Sequence, residues 1–313
     1  MTDPDLPLLE QRLGRMHAHL RLGVERDHEA QVFGYGRNYF HFENLRPFAF
    51  FVEYTLKLSG MYWRGKRNAA RVQVRTNTVR SVDLPAEFDG FTILQLADLH
   101  GDMNAIAMAR VAELLGDLDF DLCVLTGDYR GATHGPHDAA VRSVATLLPK
   151  INSPVFGILG NHDTVRMVPA LEDLGIRMLM NESETIERNG AAIYIVGVDD
   201  PHFYRTDNIE QAAAGVPHDS FSILLAHTPE IYRRAAHAEF NLMLAGHTHG
   251  GQICLPGGIP ILLDSSLPRR FGAGAWKHHG MDGYTSVGAG TSIVPVRFNC
   301  PPEITLHRLE RTS

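Results

Sequence analysis

Five short apolar runs in this chain each stop abruptly at residues that hold metal ions or protons. Phe91–Ala97 leads into Asp98-Leu99-His100, Leu122–Thr126 into Gly127-Asp128, and Val155–Leu159 into Gly160-Asn161-His162-Asp163. Ser222–Ala226 leads into His227, and Leu242–Ala245 into Gly246-His247-Thr248-His249. Continuous Val/Ile/Leu runs of this length read as strands buried on both faces. Ala192–Val198 adds another, and helical spacing over Met103–Leu115, His137–Leu148 and Met167–Leu174 makes the body α/β. In open α/β sheets, sites form outside the carboxyl ends of the strands. The polar clusters fall there.

Hard oxygens and imidazoles projecting from one sheet edge imply a metal centre. Seven residues are candidate ligands: Asp98, His100, Asp128, Asn161, His227, His247 and His249. That is too many for one tetrahedral ion. Two ions about 3.5–4 Å apart form the clamp that hydrolases place on a phosphoryl group. Imidazole and carboxylate without thiolate suit manganese first, then iron, zinc or nickel. A strand period of two puts Asp98 beside His100, and His247 beside His249, provided the extended backbone continues into each loop. Singly, each cluster has a plain reading, Gly-Asp as a turn and Gly-Asn-His-Asp as a helix N-cap. Five in order, each at a strand end, favour a shared site.

Charge narrows the partners. The chain carries 29 Lys+Arg against 36 Asp+Glu, a net charge of −7, which disfavours a nucleic-acid binder. Residues 1–80 hold 13 basic and 8 acidic side chains, leaving 16 and 28 for the remainder, so the front is basic and the body acidic. That front segment is expected to be a helical, basic and aromatic extension over residues 1–70, ahead of a catalytic domain over 71–313. Gly34-Tyr35-Gly36 marks a turn, and Pro47 can open a helix over Phe48–Trp63. On it Phe48, Phe51, Val52, Leu56, Tyr62 and Trp63 follow one face, widened by Phe50, Tyr54, Leu58 and Met61. Followed by Arg64, Lys66 and Arg67, such a band suits a helix packed on its own domain or one lying in a membrane interface, with contact through residues 40–67. The three cysteines, Cys123, Cys254 and Cys300, form no CxxC pair, so a reducing compartment is expected. The first residues lack the apolar core of a secretory signal. The expected location is cytoplasmic, peripheral on the inner face of a membrane.

The order Asp-x-His, Gly-Asp, Gly-Asn-His-Asp, His, Gly-His-Thr-His resembles the calcineurin-like metallophosphoesterase superfamily, over roughly residues 91–307. The longer Gly246-His247-Thr248-His249-Gly250-Gly251-Gln252-Ile253 resembles its bacterial branch that includes membrane-associated members and a lipid-A-pathway pyrophosphatase. The resemblance implies a four-layer αββα sandwich. It also implies that Asp98, His100 and His249 bind one metal, that Asn161, His227 and His247 bind the other, and that Asp128 bridges them. His162 would then protonate the leaving oxygen or stabilise its charge. Asp163 would hold the His162 ring in the useful tautomer. A metal-bridging hydroxide would attack phosphorus in line.

The chain departs from some relatives in reading Gly127-Asp128-Tyr129-Arg130-Gly131 at the second motif. Arg130 can pair bidentately with a phosphate oxygen, or can be a solvated loop arginine. His134, His137, Asp199, Asp200 and His202 fall in loops and can line the pocket. The function expected is hydrolysis of a phosphodiester or pyrophosphate bond in a lipid-linked or nucleotide-linked small molecule. Phe40, Phe42, Phe48, Phe51, Tyr62 and Trp63 are the candidate lining for acyl chains. A phosphomonoesterase or protein phosphatase on the same metals is the alternative enzyme. A non-catalytic scaffold is the alternative of another class, and the complete ligand set argues against it.

Overall fold

Leu122 and Val124 belong to one hydrophobic cluster while Cys123 and Leu125, their chain neighbours, belong to another. That alternation has period two, and it makes the strand Leu122–Thr126 the boundary between two buried layers. Ser222–Leu225 and Leu242–Ala245 alternate likewise: Ile223, Leu225, Leu242 and Leu244 face the central layer, and Leu224, Met243 and Ala245 face a third. The computed structural model describes residues 4–28 and 46–312. The expected turn at 34–36 and the side chains of Phe40, Phe42 and Phe48 lie outside what it describes.

In chain order, α1 (Leu6–Leu13), α2 (Arg15–His28), α3 (Arg46–Leu58) and α4 (Tyr62–Ala69) precede β1 (Gln73–Ser81) and β2 (Thr92–Leu96). Then come α5 (Ala105–Leu115), β3 (Leu122–Thr126), α6 (Asp138–Ala145), β4 (Val155–Ile158), α7 (Met167–Asp173) and β5 (Arg177–Met178). The second half runs β6 (Glu182–Arg188), β7 (Ala191–Gly197), α8 (Ile209–Ala212), β8 (Ser222–Leu225), α9 (Tyr232–His237) and β9 (Leu242–Ala245). It closes with β10 (Cys254–Leu255), β11 (Ile259–Pro260), β12 (Gly274–His278), β13 (Met281–Thr285) and β14 (Glu303–Arg311).

Two six-stranded sheets result, in the orders β1-β14-β2-β3-β4-β5 and β12-β13-β9-β8-β7-β6, with β10 and β11 as a separate hairpin. Within the first, β2, β3, β4 and β5 are mutually parallel. Within the second, β7, β8, β9 and β13 are parallel. Side chains from both sheets fill the layer between them, helices α1, α2, α5, α6 and α7 cover the first sheet, and α8 and α9 cover the second. This is the αββα sandwich that the resemblance implied. Helix α5 shows how the outer layers form. Asn104 caps it by accepting from the Ala107 amide, and Ala107, Met108, Val111 and Leu115 form the buried stripe.

One polar device spans the central layer. Gln95 of β2 donates to Thr126 of β3 (3.1 Å) and to the carbonyl of Ala245 in β9 (2.9 Å), and its oxygen lies 3.0 Å from His307 Nε2 of β14. It joins the two sheets just below the loops where the motifs sit.

The front segment differs from expectation in two ways. The single helix over Phe48–Trp63 is two, because Ser59-Gly60 intervenes and Gly60 takes a left-handed φ of +71° that ends α3. Val52, Leu56 and Tyr62 pack inward on Val294, Val296 and Phe298, whereas Phe51 and Trp63 do not follow them and are 67% and 68% exposed. The segment is also not wholly separate from the body. Leu9, Ala18 and Leu22 are buried in the same cluster as Leu94, Val111 and Leu125, and each of the two leucines stabilises by about 1.5–3 kcal/mol.

Candidate metal centre

The three motif loops of the first sheet follow β2, β3 and β4, and the two of the second follow β8 and β9, all at carboxyl ends. The loops do not continue as extended chain. Asp98, His100, Asp128, His247 and His249 have φ of +48°, +39°, +57°, +72° and +49°. Side chains at such positions are brought together by left-handed turns, not by the strand period, and short polar residues tolerate this region best. Gly127 and Gly246 let the loops close in. A Cβ on Gly127 would lie 2.6 Å from the Gly160 nitrogen, and one on Gly246 would lie 2.5 Å from Asp98 Oδ2.

Asp98, His100, Asp128 and His249 are buried, with donor atoms all within 4.8 Å of one another. His100 Nδ1 lies 2.7 Å from the Arg130 carbonyl. It must carry the proton there, which leaves Nε2 as a lone pair 3.0 Å from His249 Nε2. His227 Nδ1 likewise donates to the Thr126 carbonyl (2.9 Å), and its Nε2 points at Asn161 Oδ1 (2.8 Å). His247 Nδ1 reaches the same oxygen at 2.8 Å. Asp128 Oδ2 sits between the two groups, 3.6 Å from His100 Nε2 and 3.4 Å from His227 Nε2.

Two sets of ligand atoms thus converge, one at His100 and His249 and one at Asn161, His227 and His247, and Asp98 Oδ2 and His247 Nε2 are buried with no hydrogen-bond partner among the described residues. Burial, reinforced by the nearby Asp128, pushes the Asp98 carboxyl up to about 7. Burial lowers and Asp128 raises the basicity of His227, and Asp128 prevails, lifting it to about 10. The donor set therefore fits divalent metal ions, and all seven sequence-predicted ligands are buried at this one edge.

His162 lies beside them, with Nε2 3.9 Å from Asp128 Oδ2 and Nδ1 3.2 Å from Thr133 Oγ1. Asp163 acts elsewhere than the resemblance implied. Its carboxylate accepts from the backbone N–H groups of Asp128 (2.7 Å), Gly160 (2.9 Å), Tyr129 (3.0 Å) and Arg130 (3.4 Å). It ties two motif loops together, and the partner of the His162 ring is Thr133. Arg130 is neither solvated nor directed at the ligands. It is buried, and its guanidinium donates to the carbonyls of His162, Thr133 (2.5 Å) and Gly135 (2.8 Å).

Of the other loop residues, His202 lies against His247 with ring centroids 4.2 Å apart and planes inclined at 48°, and pairs with Glu230 (2.8 Å). Asp200 accepts from the His202, Phe203 and Tyr204 amides. Asp199 binds Arg21 and His17. His134 and His137 line a different cavity of about 360 Å³, with Arg26, Arg166 and Tyr204. Sequence reasoning missed Arg297, wholly buried behind His249. Its Nη2 donates to the carbonyls of Val287 (2.6 Å) and Gly290 (2.7 Å) and lies 3.2 Å from His249 Nδ1. Nothing local in Val296-Arg297-Phe298 marks it. Cys123, Cys254 and Cys300 are free and buried, as expected of packed residues.

The calcineurin-like phosphoesterase profile matches residues 91–251, which contain all five motifs. The chain belongs to the calcineurin-like phosphoesterase family. Among curated relatives it is 31% identical over 255 residues to the uncharacterized metallophosphoesterase YkuE of Bacillus subtilis, spanning 77% of this chain and 87% of that one. It is 29% identical to YkoQ of the same organism, over 79% of this chain and 94% of the relative. It is also 29% identical to the phosphodiesterase YaeI of Escherichia coli, over 70% and 82%.

Proposed function

We propose that the protein is a phosphoesterase dependent on two divalent metal ions, which hydrolyses a phosphodiester or pyrophosphate bond. The carrying observation is Asp128 Oδ2, set between the His100–His249 pair and the Asn161–His227–His247 group. Asp98, His100 and His249 would hold one ion, Asn161, His227 and His247 the other, with Asp128 shared. Manganese is the first choice, iron, zinc or nickel the next. When bound, such ions supply a hydroxide nucleophile near neutral pH and positive charge for the phosphoryl oxygens.

His162 is placed to assist the leaving group. The Thr133 hydroxyl can donate to Nδ1, which keeps the ring proton on Nε2, the nitrogen facing Asp128. Overall, a water oxygen joins phosphorus, the bond to the leaving oxygen breaks, and that oxygen gains a proton. Two observations favour a diester over a monoester. A monoester's extra negative charge calls for a further cation, and both Arg130 and Arg297 direct their donors at carbonyls. One relative also bears the name phosphodiesterase.

A lipid surface is the proposed location. Phe50, Phe51, Tyr54, Leu58 and Trp63 are exposed, and Arg64, Lys66 and Arg67 follow directly. Phe51→Asp with Trp63→Asp should release the protein from anionic vesicles, and retained sedimentation with them would refute this placement. No described helix is long and apolar enough to cross a membrane.

The chemistry is tested by reconstituting metal-free protein with Mn²⁺ and supplying a chromogenic phosphodiester and its monoester analogue, with Asp128→Ala as control. Faster diester cleavage, absent in the variant, is expected. Activity that survives in Asp128→Ala, or a clear monoester preference, would refute the reading.

A further inference from the structure

Beside the metal centre lies a cavity of about 300 Å³ whose polar end is formed by Asp128, Asn161, His162, His247 and His249. Its apolar wall is Val52 of α3, Ile253, Ile261, Leu262, Ile293 and Val294, with Thr248, Gly251, Gln252, Asp264 and Ser292 beside them. Two of the polar side chains along that wall are engaged by the backbone. Gln252 gives its amide to the carbonyls of Ser292 and Val294 (2.9 Å each) and accepts from the Ser292 amide (2.8 Å). Thr248 donates to the Gly272 carbonyl. Asp264 is the acidic member at the rim.

A nucleoside in this space would meet mostly aliphatic side chains, and buried polar groups left unpaired are costly. A hydrocarbon chain would lose nothing and gain burial. The wall also reaches solvent through apolar residues, since Ile261 and Leu262 are 61% and 46% exposed, and Leu255 and Ile259 of the adjoining β10–β11 hairpin are half-exposed too. Exposed apolar side chains continuous with an apolar cavity mark a binding site.

We propose, resting on the phosphoesterase reading above, that the substrate is an amphiphilic phosphoester whose hydrocarbon chain lies between Val52, Ile253, Ile261, Leu262 and Val294 while its phosphoryl group meets the metal centre. The cavity decides between the lipid-linked and nucleotide-linked classes in favour of the first. Its contribution falls on binding, because the chain is held alike before and during reaction.

The test compares ethyl and dodecyl p-nitrophenyl phosphodiesters on the Mn²⁺-loaded full chain and on an Ile261→Asp, Leu262→Asp variant. Each buried methylene is worth about fourfold, or about 0.8 kcal/mol, so a dodecyl preference of at least about tenfold in kcat/KM, carried by KM, is expected. In the variant the preference should vanish, through a rise in KM for the dodecyl ester that the ethyl ester does not share in proportion. No chain-length preference in the native protein, or one that survives both substitutions, would overturn the proposal. Failure to turn over either ester would sink the phosphoesterase reading instead. The cavity would then be judged by calorimetric titration with dodecyl phosphate below its micellar concentration. Binding that the variant loses supports the proposal, and absence of binding by the native chain overturns it.

Discussion

Arg21 of α2 donates from Nη2 to the carbonyl of Asp163 across 3.0 Å, within the loop that carries Asn161 and His162. The guanidinium is wholly buried, 3.4 Å above the ring of Tyr204 and paired with Asp199 at 3.2 Å. One turn on, Glu25 accepts from the Val165 amide (2.7 Å) and the Thr164 hydroxyl (2.6 Å). The N-terminal hairpin is thus a brace for the third motif loop.

Arg21→Gln should therefore impair both stability and catalysis. Breaking a buried pair on one side costs up to about 3–5 kcal/mol, because the buried Asp199 loses its guanidinium and keeps only His17 and Thr206 as side-chain partners. Urea unfolding should show that loss. In the protein that remains folded, kcat should fall with KM nearly unchanged, since loop placement and not substrate contact is altered. A fall in KM affinity alone would contradict the brace.

Asp128→Ala and His162→Ala should separate along metal content. The first should lose bound Mn²⁺ measured by elemental analysis, together with activity. The second should keep its metal and lose about 10²–10⁴-fold in kcat, the usual size of a proton-transfer contribution. Metal loss on His162→Ala would make that ring a ligand instead.

Asp163→Ala tests whether this carboxylate serves the loops or the ring. It removes the acceptor of four backbone N–H groups, and losing such support behind a metal site weakens metal affinity by about 10–100-fold. The loss should appear equally in a His162→Ala background. If it disappeared there, the tautomer role would be restored.

Acid sensitivity should originate partly at Asp199. Burial alone would raise this carboxyl, but Arg21 and His17 outweigh it and hold it well below the usual carboxylate range. A depressed folded-state value means its stabilisation is complete above the unfolded value of about 4 and is lost as pH falls below that. Asp199→Asn should lower the melting temperature near neutrality and flatten its decline below about pH 4. An unchanged acid slope would exclude Asp199 as a source.

What could be read in advance follows the range of the forces involved. Leu122–Thr126 and Leu242–Ala245 are strands with the expected bounds, because a run buried on both faces leaves its mark in consecutive residues. The meeting of Asp98 with His247, or of Asp128 with His227, was legible as repeated strand-end chemistry. The route was not, since left-handed turns at Asp98, His100, His247 and His249 have no period. Arg21 and Arg297 were invisible because their partners are backbone carbonyls and a carboxylate far along the chain. The break at Ser59-Gly60 was available in the glycine and was overridden by the continuous aromatic band.

Strand β14 lies between β1 and β2, so the last of the described strands occupies an interior place in a sheet begun more than two hundred residues earlier. Until it arrives, β1 has no neighbour and β2, which leads into Asp98 and His100, presents an open edge. A ribosome-bound nascent chain can therefore display all five motifs and still have an unfinished first sheet. That interval is one in which an unpaired strand edge invites wrong partners, and it closes only when Glu303–Arg311 is threaded home.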